Sequence, residues 1–481
     1  MSKDKLIKLG VLIALVAGFW YVTPPDGLSV NAWRMFLIYA AAILGLVLKP
    51  FPEPVILLGA VAATALIFND PKGALAGYAS TTTWLVFAAF TLSAAFVNTG
   101  LGKRIAYLLI GKLGHTTLGL GYVTAFLDLA VAPATPSNTA RAGGIVFPIM
   151  NSVAVALGSQ PGDTAKKVGS YLMVNTYMVT KVTSFMFVTA MAPNALAGDY
   201  MKKIMDVSLD WMFWAKALVV PGFLLLLIIP LVVYLMDPPE LNKVDNKKIA
   251  EDGLRELGPM STKEKFLVAL FILALLGWMM PSVLKEFFGI TKFMGVKIAM
   301  NATSVAVGIM ALTFITGVMS WDELLKNKSG WSTLIWFGGI VGLSDVLTKM
   351  KFFSWLAVVM KSYMNFGDNA TLALWVIVFA SVAVRYLFAS GTAYVAAMLP
   401  VFLTVGMAAG ANPMALALAL AASNSYGGAL THYGGAAAPI IFVAGYNTTK
   451  SWWTIGGVVA IISFVFMMTI GVGWWKLLGL F

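Results

Sequence analysis

Residues 132–144 read Ala132-Pro133-Ala134-Thr135-Pro136-Ser137-Asn138-Thr139-Ala140-Arg141-Ala142-Gly143-Gly144. Pro133 and Pro136 have no N–H to give to a helix ladder, so a helix that reaches them must break. Ser137, Asn138 and Thr139 stand where a helix cap belongs, and a fresh apolar run, 145–156, follows. The pattern predicts a re-entrant hairpin over about 116–157, with a helix starting near Ser137. Irregular backbone at membrane depth survives only against protein or a water-filled cavity. A helix start there offers free N–H groups and the positive dipole end to an anion. Asn138 and the hydroxyls of Ser137 and Thr139 add directed donors. Taken alone, the same residues also fit a plain cap in a loop between two spans.

A second copy of this pattern removes that ambiguity. Ser137-Asn138-Thr139-Ala140 and Ser390-Gly391-Thr392-Ala393 lie 253 residues apart. Trp84 and Trp336 are 252 apart, Pro148 and Pro400 also 252, and Pro193 and Pro439 246. One order with nearly one offset marks an internal repeat, covering about 80–195 and 332–440. The second hairpin is then expected at about 385–410. Each copy also carries a later break. One is Thr180-Lys181-Val182-Thr183-Ser184, ending at Pro193 and Asn194. The other runs from Ser423-Asn424-Ser425 through Leu430-Thr431-His432-Tyr433-Gly434 to Pro439. Unwound helices of this kind supply carbonyls and hydroxyls, here including that of Thr431, to ions or substrate.

The composition states what medium surrounds these elements. Hydrophobic residues make up 59% of the 481 and charged residues 11%; mean hydropathy is +0.85. A soluble domain carries roughly 25% charged residues, so a soluble enzyme is excluded and an all-α polytopic membrane protein is expected. Apolar runs at 6–22, 31–49, 53–69, 82–99, 168–191, 210–236, 265–283, 295–318, 331–348, 370–389, 412–431 and 452–475 supply the spans. The polar stretch 237–265 separates an N-terminal half, 1–236, from a C-terminal half, 266–481.

The net charge of +12 reads as topology. Lys103, Arg104, Lys112, Lys166, Lys167 and the six Lys and Arg of 237–265 belong inside the cell, as does the basic start Lys3, Lys5 and Lys8. The first hairpin then opens to the cytoplasm, the linker is cytoplasmic and the second hairpin faces outward. The two repeats have opposite orientation, an arrangement of secondary transporters with a midplane site. No small-x-small cleavage site or Arg- and Ser-rich transit peptide marks the first run, so a bacterial inner membrane is expected. No basic run interleaved with aromatics points to nucleic acid.

Few chemistries remain open to the side chains. Cysteine is absent and histidine occurs twice, at His115 and His432. Thiolate, zinc and repeated histidine sites are thereby excluded, and neither a metal nor a cofactor is expected. No His-Glu-x-x-His or Gly-x-Gly-Asp supports a protease, and Gly100-Leu101-Gly102-Lys103-Arg104 lacks the spacing and hydroxyl of a phosphate-cradling loop. Ionisable residues inside spans mark function by default. Arg141, Lys181, Arg385 and His432 qualify, with Asp128 as a counter-ion. Snorkelling competes as a reading for the cations, packing for His432, and simple solvation for His115.

Pro136-Ser137-Asn138-Thr139-Ala140-Arg141-Ala142-Gly143-Gly144, Leu430-Thr431-His432-Tyr433-Gly434 and Trp452-Trp453…Gly473-Trp474-Trp475-Lys476 carry a further likeness. The whole chain resembles the divalent anion:sodium symporter family, in its branch of citrate/succinate antiporters and plastid 2-oxoglutarate/malate translocators. The resemblance implies a homodimer in the lipid bilayer, each protomer with about 11 transmembrane helices and two re-entrant hairpins in inverted repeats, working as an elevator. It implies that Ser137, Asn138, Thr139, Ser390 and Thr392 hold substrate carboxylates, with Gly391 standing where the family has Asn. That departure weakens the case for a second sodium site.

Fixed cations replace sodium electrostatically but cannot dissociate, so the empty carrier resists crossing. Arg141, Lys181 and His432 are the candidates for that charge. The expected activity is sodium-independent exchange of dicarboxylates or tricarboxylates, with sodium symport as the alternative and an anion channel as a remote one.

Overall fold

The computed structural model describes residues 2–290, 292–293, 296–297, 301–363 and 369–481. It is built almost wholly of helices. Among the described residues, nine are long and apolar enough to cross a membrane. Three of these nine are arms of the helix–break–helix units described below, and other helices miss the criterion by length or polarity. Glu53–Ile67, Ala302–Ile315 and Ala370–Arg385 are short. Gly169–Met186 is long enough but carries Ser170, Asn175, Thr176, Thr180, Lys181, Thr183 and Ser184. Every one of its residues is buried, so protein and not lipid surrounds it. The apolar run 295–318 begins outside the described residues and continues as Ala302–Ile315.

The first helix–break–helix unit is Thr117–Val131, a tight turn Ala132–Ala134, an irregular 135–138, a π-helical turn Thr139–Val146, and Phe147–Ala156. Wide turns of that type concentrate at functional sites. The second unit pairs Ala370–Arg385 with Gly391–Ala408. It therefore starts well before the 385–410 read from sequence. Residues 370–385 are apolar enough to pass for an ordinary span, and only the reversal at 386–390 makes them a hairpin arm.

Each unit is followed by a broken helix. Gly169–Met186 stops and restarts as Ala192–Met205, and Pro413–Tyr426 restarts as Ala437–Phe442. Pro193 and Pro439 sit in the first turns of the restarted helices, where a missing N–H costs nothing. The two broken helices pack together. Ser425 Oγ donates to the Lys181 carbonyl at 2.6 Å, and Tyr177 Oη to the Gly428 carbonyl at 2.8 Å. Each half then closes with one long apolar helix, Trp211–Met236 and Thr449–Leu477. The indoles of Trp474 and Trp475 tie these two, donating to the carbonyls of Lys216 and Ala217 at 2.9 and 2.8 Å.

The basic clusters meet at one end of the molecule. Helix Asn246–Leu257 lies on Leu101–Leu113, where Asn246 Nδ2 donates to the Ile110 and Gly111 carbonyls. Arg104 grips Glu264 with two bonds, 2.7 and 3.2 Å. Asp237 takes Lys166 and Ser170. His115 is exposed beside them, as its solvated reading expects.

Candidate functional site

The two breaks at the hairpin tips face one cavity of about 380 Å³. Its wall includes Ser137, Asn138, Thr139, Pro193, Ser390, Gly391, Thr392 and Asn424, together with Lys181 and Arg385. The tips are built alike. Ser137 Oγ accepts from the Ala140 N–H at 3.2 Å, and Ser390 Oγ accepts from the Ala393 N–H, also at 3.2 Å. Each serine uses its lone pair as a helix cap and keeps its own proton to donate. The restarted helix after the first break is tied to the first tip, because the Ala192 N–H donates to the Pro136 carbonyl at 2.9 Å. Asn194 holds that break in shape, donating to the carbonyls of Ser184 and Phe187.

Arg141 does not belong to the cavity. It is fully buried, and its Nε donates to Asp128 at 3.1 Å. Its other N–H groups go to the carbonyls of Thr135 and Ala190 and to Ser184, Thr183 and Asn138. Asp128 in turn takes Thr180 and Thr183. Asp128 is thus the counter-ion, and Arg141 carries no spare charge to offer an anion. Its task is positional. Asn138 Oδ1 is held by Arg141 at 3.1 Å and Ser184 at 2.8 Å, which leaves the amide N–H₂ for the cavity.

Nor does His432 line the cavity. Its Nδ1 accepts from the Trp453 indole N–H at 2.9 Å. An indole only donates, so Nδ1 is the acceptor in this contact. Phe442, Tyr433 and Trp453 box it in. Thr431, buried in the adjoining turn, does not reach the cavity either. Sequence spacing placed both near the second break, but the turn through 427–436 points them away from the cavity. His432→Gln keeps an acceptor for Trp453, so whatever activity the cavity supports should stay within about threefold of wild type, as for most substitutions outside a site. A larger loss in a transport assay, with normal expression, would return His432 to the mechanism.

Two cations remain. Lys181 is 4% exposed and Arg385 2%. Among the described residues neither pairs with a carboxylate. Lys181 Nζ lies 4.5 Å from the Tyr177 ring centre. Arg385 donates to the carbonyls of Asn424, Phe388 and Gly434 and stacks on Tyr394. The two heads are close neighbours. A Cβ added to Gly428 would meet Arg385 Nη2 at 3.1 Å and Lys181 Nζ at 3.2 Å. A Cβ on Gly391 would lie 3.3 Å from Arg385 Nη2, so the guanidinium stands close to the second tip. Two unit charges roughly 6 Å apart repel by about 3 kcal/mol at an effective dielectric near 20. Arg385 was legible as an intramembrane cation, with snorkelling to an interface as the competing reading.

The sequence matches the family described as the sodium:sulfate symporter transmembrane region over residues 3–481. Inner membrane protein YbhI of Escherichia coli is 55% identical over 485 residues, covering 99% of each chain. The citrate/succinate antiporter of Escherichia coli is 33% identical over 503 residues, covering 100% of this chain and 99% of its own. Among solved structures, the YdaH transporter of Alcanivorax borkumensis shares the fold with a TM-score of 0.58 at 12% identity, covering 98% of this chain and 99% of that one.

Proposed function

We propose, for a chain that belongs to the divalent anion:sodium symporter family and is therefore a multi-pass membrane transporter and not an enzyme, that its cavity carries dicarboxylates and exchanges one for another. The observation that carries this reading is the pair Lys181 and Arg385, buried at the cavity with no carboxylate partner among the described residues. A dianion supplies the missing charge. One carboxylate meets Ser390, Thr392 and Arg385, and the other meets Ser137, Asn138 and Thr139. A cavity of about 380 Å³ is at the small end of ligand pockets, which suits a short substrate.

Exchange follows from the same charges. Lys181 and Arg385 cannot leave with the substrate. The empty site keeps a double positive charge, which is costly to move through hydrocarbon. The loaded site is nearly neutral and crosses. The carrier therefore returns only when loaded, and sodium is not needed for compensation. The repeated tips and broken helices support an inverted-repeat transporter in which this body moves past the remaining helices as an elevator. We place it as a homodimer in the bacterial inner membrane, where the relative YbhI is named as residing, with the N-terminus and the 237–265 linker in the cytoplasm.

The test is uptake of labelled succinate into proteoliposomes, preloaded with unlabelled dicarboxylate or empty, with and without a sodium gradient. Uptake should require internal dicarboxylate and ignore sodium. Sodium-driven uptake into empty vesicles would make the protein a symporter and overturn the reading.

A further inference from the structure

Asn424, on helix Pro413–Tyr426, lines the cavity and is only 2% exposed. Neither its Oδ1 nor its Nδ2 has a hydrogen-bond partner among the described residues. Buried polar groups are rarely left so, and each instance calls for an explanation. Oδ1 lies 3.9 Å from the point where a Cβ on Gly391 would stand, so the amide faces the second tip. Its neighbours are committed elsewhere. Ser425 Oγ donates to the Lys181 carbonyl, and Arg385 Nε donates to the backbone carbonyl of Asn424, not to its side chain.

The remaining polar lining is well supplied with donors. Lys181, Arg385, the tip hydroxyls and the Asn138 amide all suit carboxylate oxygens, which only accept. Asn424 Oδ1 is different, because it needs a donor. A carboxylate has none, and neither has a keto or an olefinic group. An ammonium group is repelled by Lys181 and Arg385. A hydroxyl is neutral, donates to Oδ1 and accepts from Nδ2. Arg385 Nη2 and Asn424 Oδ1 lie 3.3 and 3.9 Å from the same Gly391 point, so this hydroxyl sits beside the carboxylate at the second tip. We infer that Asn424 reads a ligand hydroxyl, so that the cavity selects 2-hydroxy dicarboxylates over 2-oxo and unsubstituted dicarboxylates of equal charge. The inference rests on the dicarboxylate reading above.

The experiment is competition against labelled succinate in succinate-loaded proteoliposomes, using two matched pairs: malate with succinate, and 2-hydroxyglutarate with 2-oxoglutarate. One satisfied buried hydrogen bond corresponds to roughly a tenfold preference for each hydroxylated member. In Asn424→Ala and Asn424→Leu the preference should fall to within about threefold of unity. A wild-type preference below about threefold overturns the inference. So does a preference that survives in both variants, or a parallel loss of both members of each pair. If neither variant transports, the wild-type order alone decides. Failure of wild-type succinate counterflow sinks the exchange reading instead, so the two failures are separable.

Discussion

On the proposed exchange mechanism, dicarboxylate counterflow in proteoliposomes should fall at least about 100-fold when either Lys181→Gln or Arg385→Gln is introduced. Each substitution removes one of two buried charges that face the substrate. In the proposed loaded state each cation faces a ligand carboxylate; truncating one partner of such a buried, hydrogen-bonded charge pair costs about 2–5 kcal/mol of binding, and each 1.4 kcal/mol is about tenfold. Glutamine keeps hydrogen-bonding capacity, so the loss reports charge and not shape. The variants should also change the kind of transport. With one cation gone, the empty site carries a single charge and crosses at lower cost. Uptake into empty vesicles, as a fraction of residual exchange, therefore rises. A structural role for these residues moves total activity but leaves that fraction alone. Both variants retaining exchange within about threefold of wild type would remove the electrostatic basis of the proposal.

How much of this was readable in the chain depends on the distance over which each feature is written. The tips are local. Two prolines, a serine and the small residues after it determine the first break, and the cap bonds at Ser137 and Ser390 each span three residues. The Asp128 partnership of Arg141 spans thirteen residues and was nameable as a counter-ion. Which cation faces the cavity is not local. Arg385 is held by carbonyls at 388, 424 and 434, and His432 is claimed by Trp453. Those contacts depend on how the second broken helix returns past its hairpin, which no periodicity encodes. Gly391 was a signal of this. At that repeat position the Arg385 guanidinium comes within 3.3 Å of where a Cβ would stand.

Arg141→Ala and Asp128→Ala should each destabilise the protein by about 3–5 kcal/mol, because each strands a buried charge. Arg141 makes six bonds in a fully buried site, and Asp128 is fully buried as well. The double variant Arg141→Met/Asp128→Leu removes both charges, and replacing a buried pair by apolar groups of similar volume is often near neutral. Thermal unfolding in detergent should therefore show the double variant more stable than either single one. Transport should not recover with it. Arg141 is one of the two groups that hold Asn138 Oδ1, and without its bond the amide turns its oxygen toward the cavity more readily. Ser184 alone remains to oppose the rotation. Stability regained with exchange still lost separates the positioning of Asn138 from the folding of the hairpin. Equal recovery of both would mean that Arg141 serves the fold alone, and single variants as stable as wild type would mean that the buried pair is not formed.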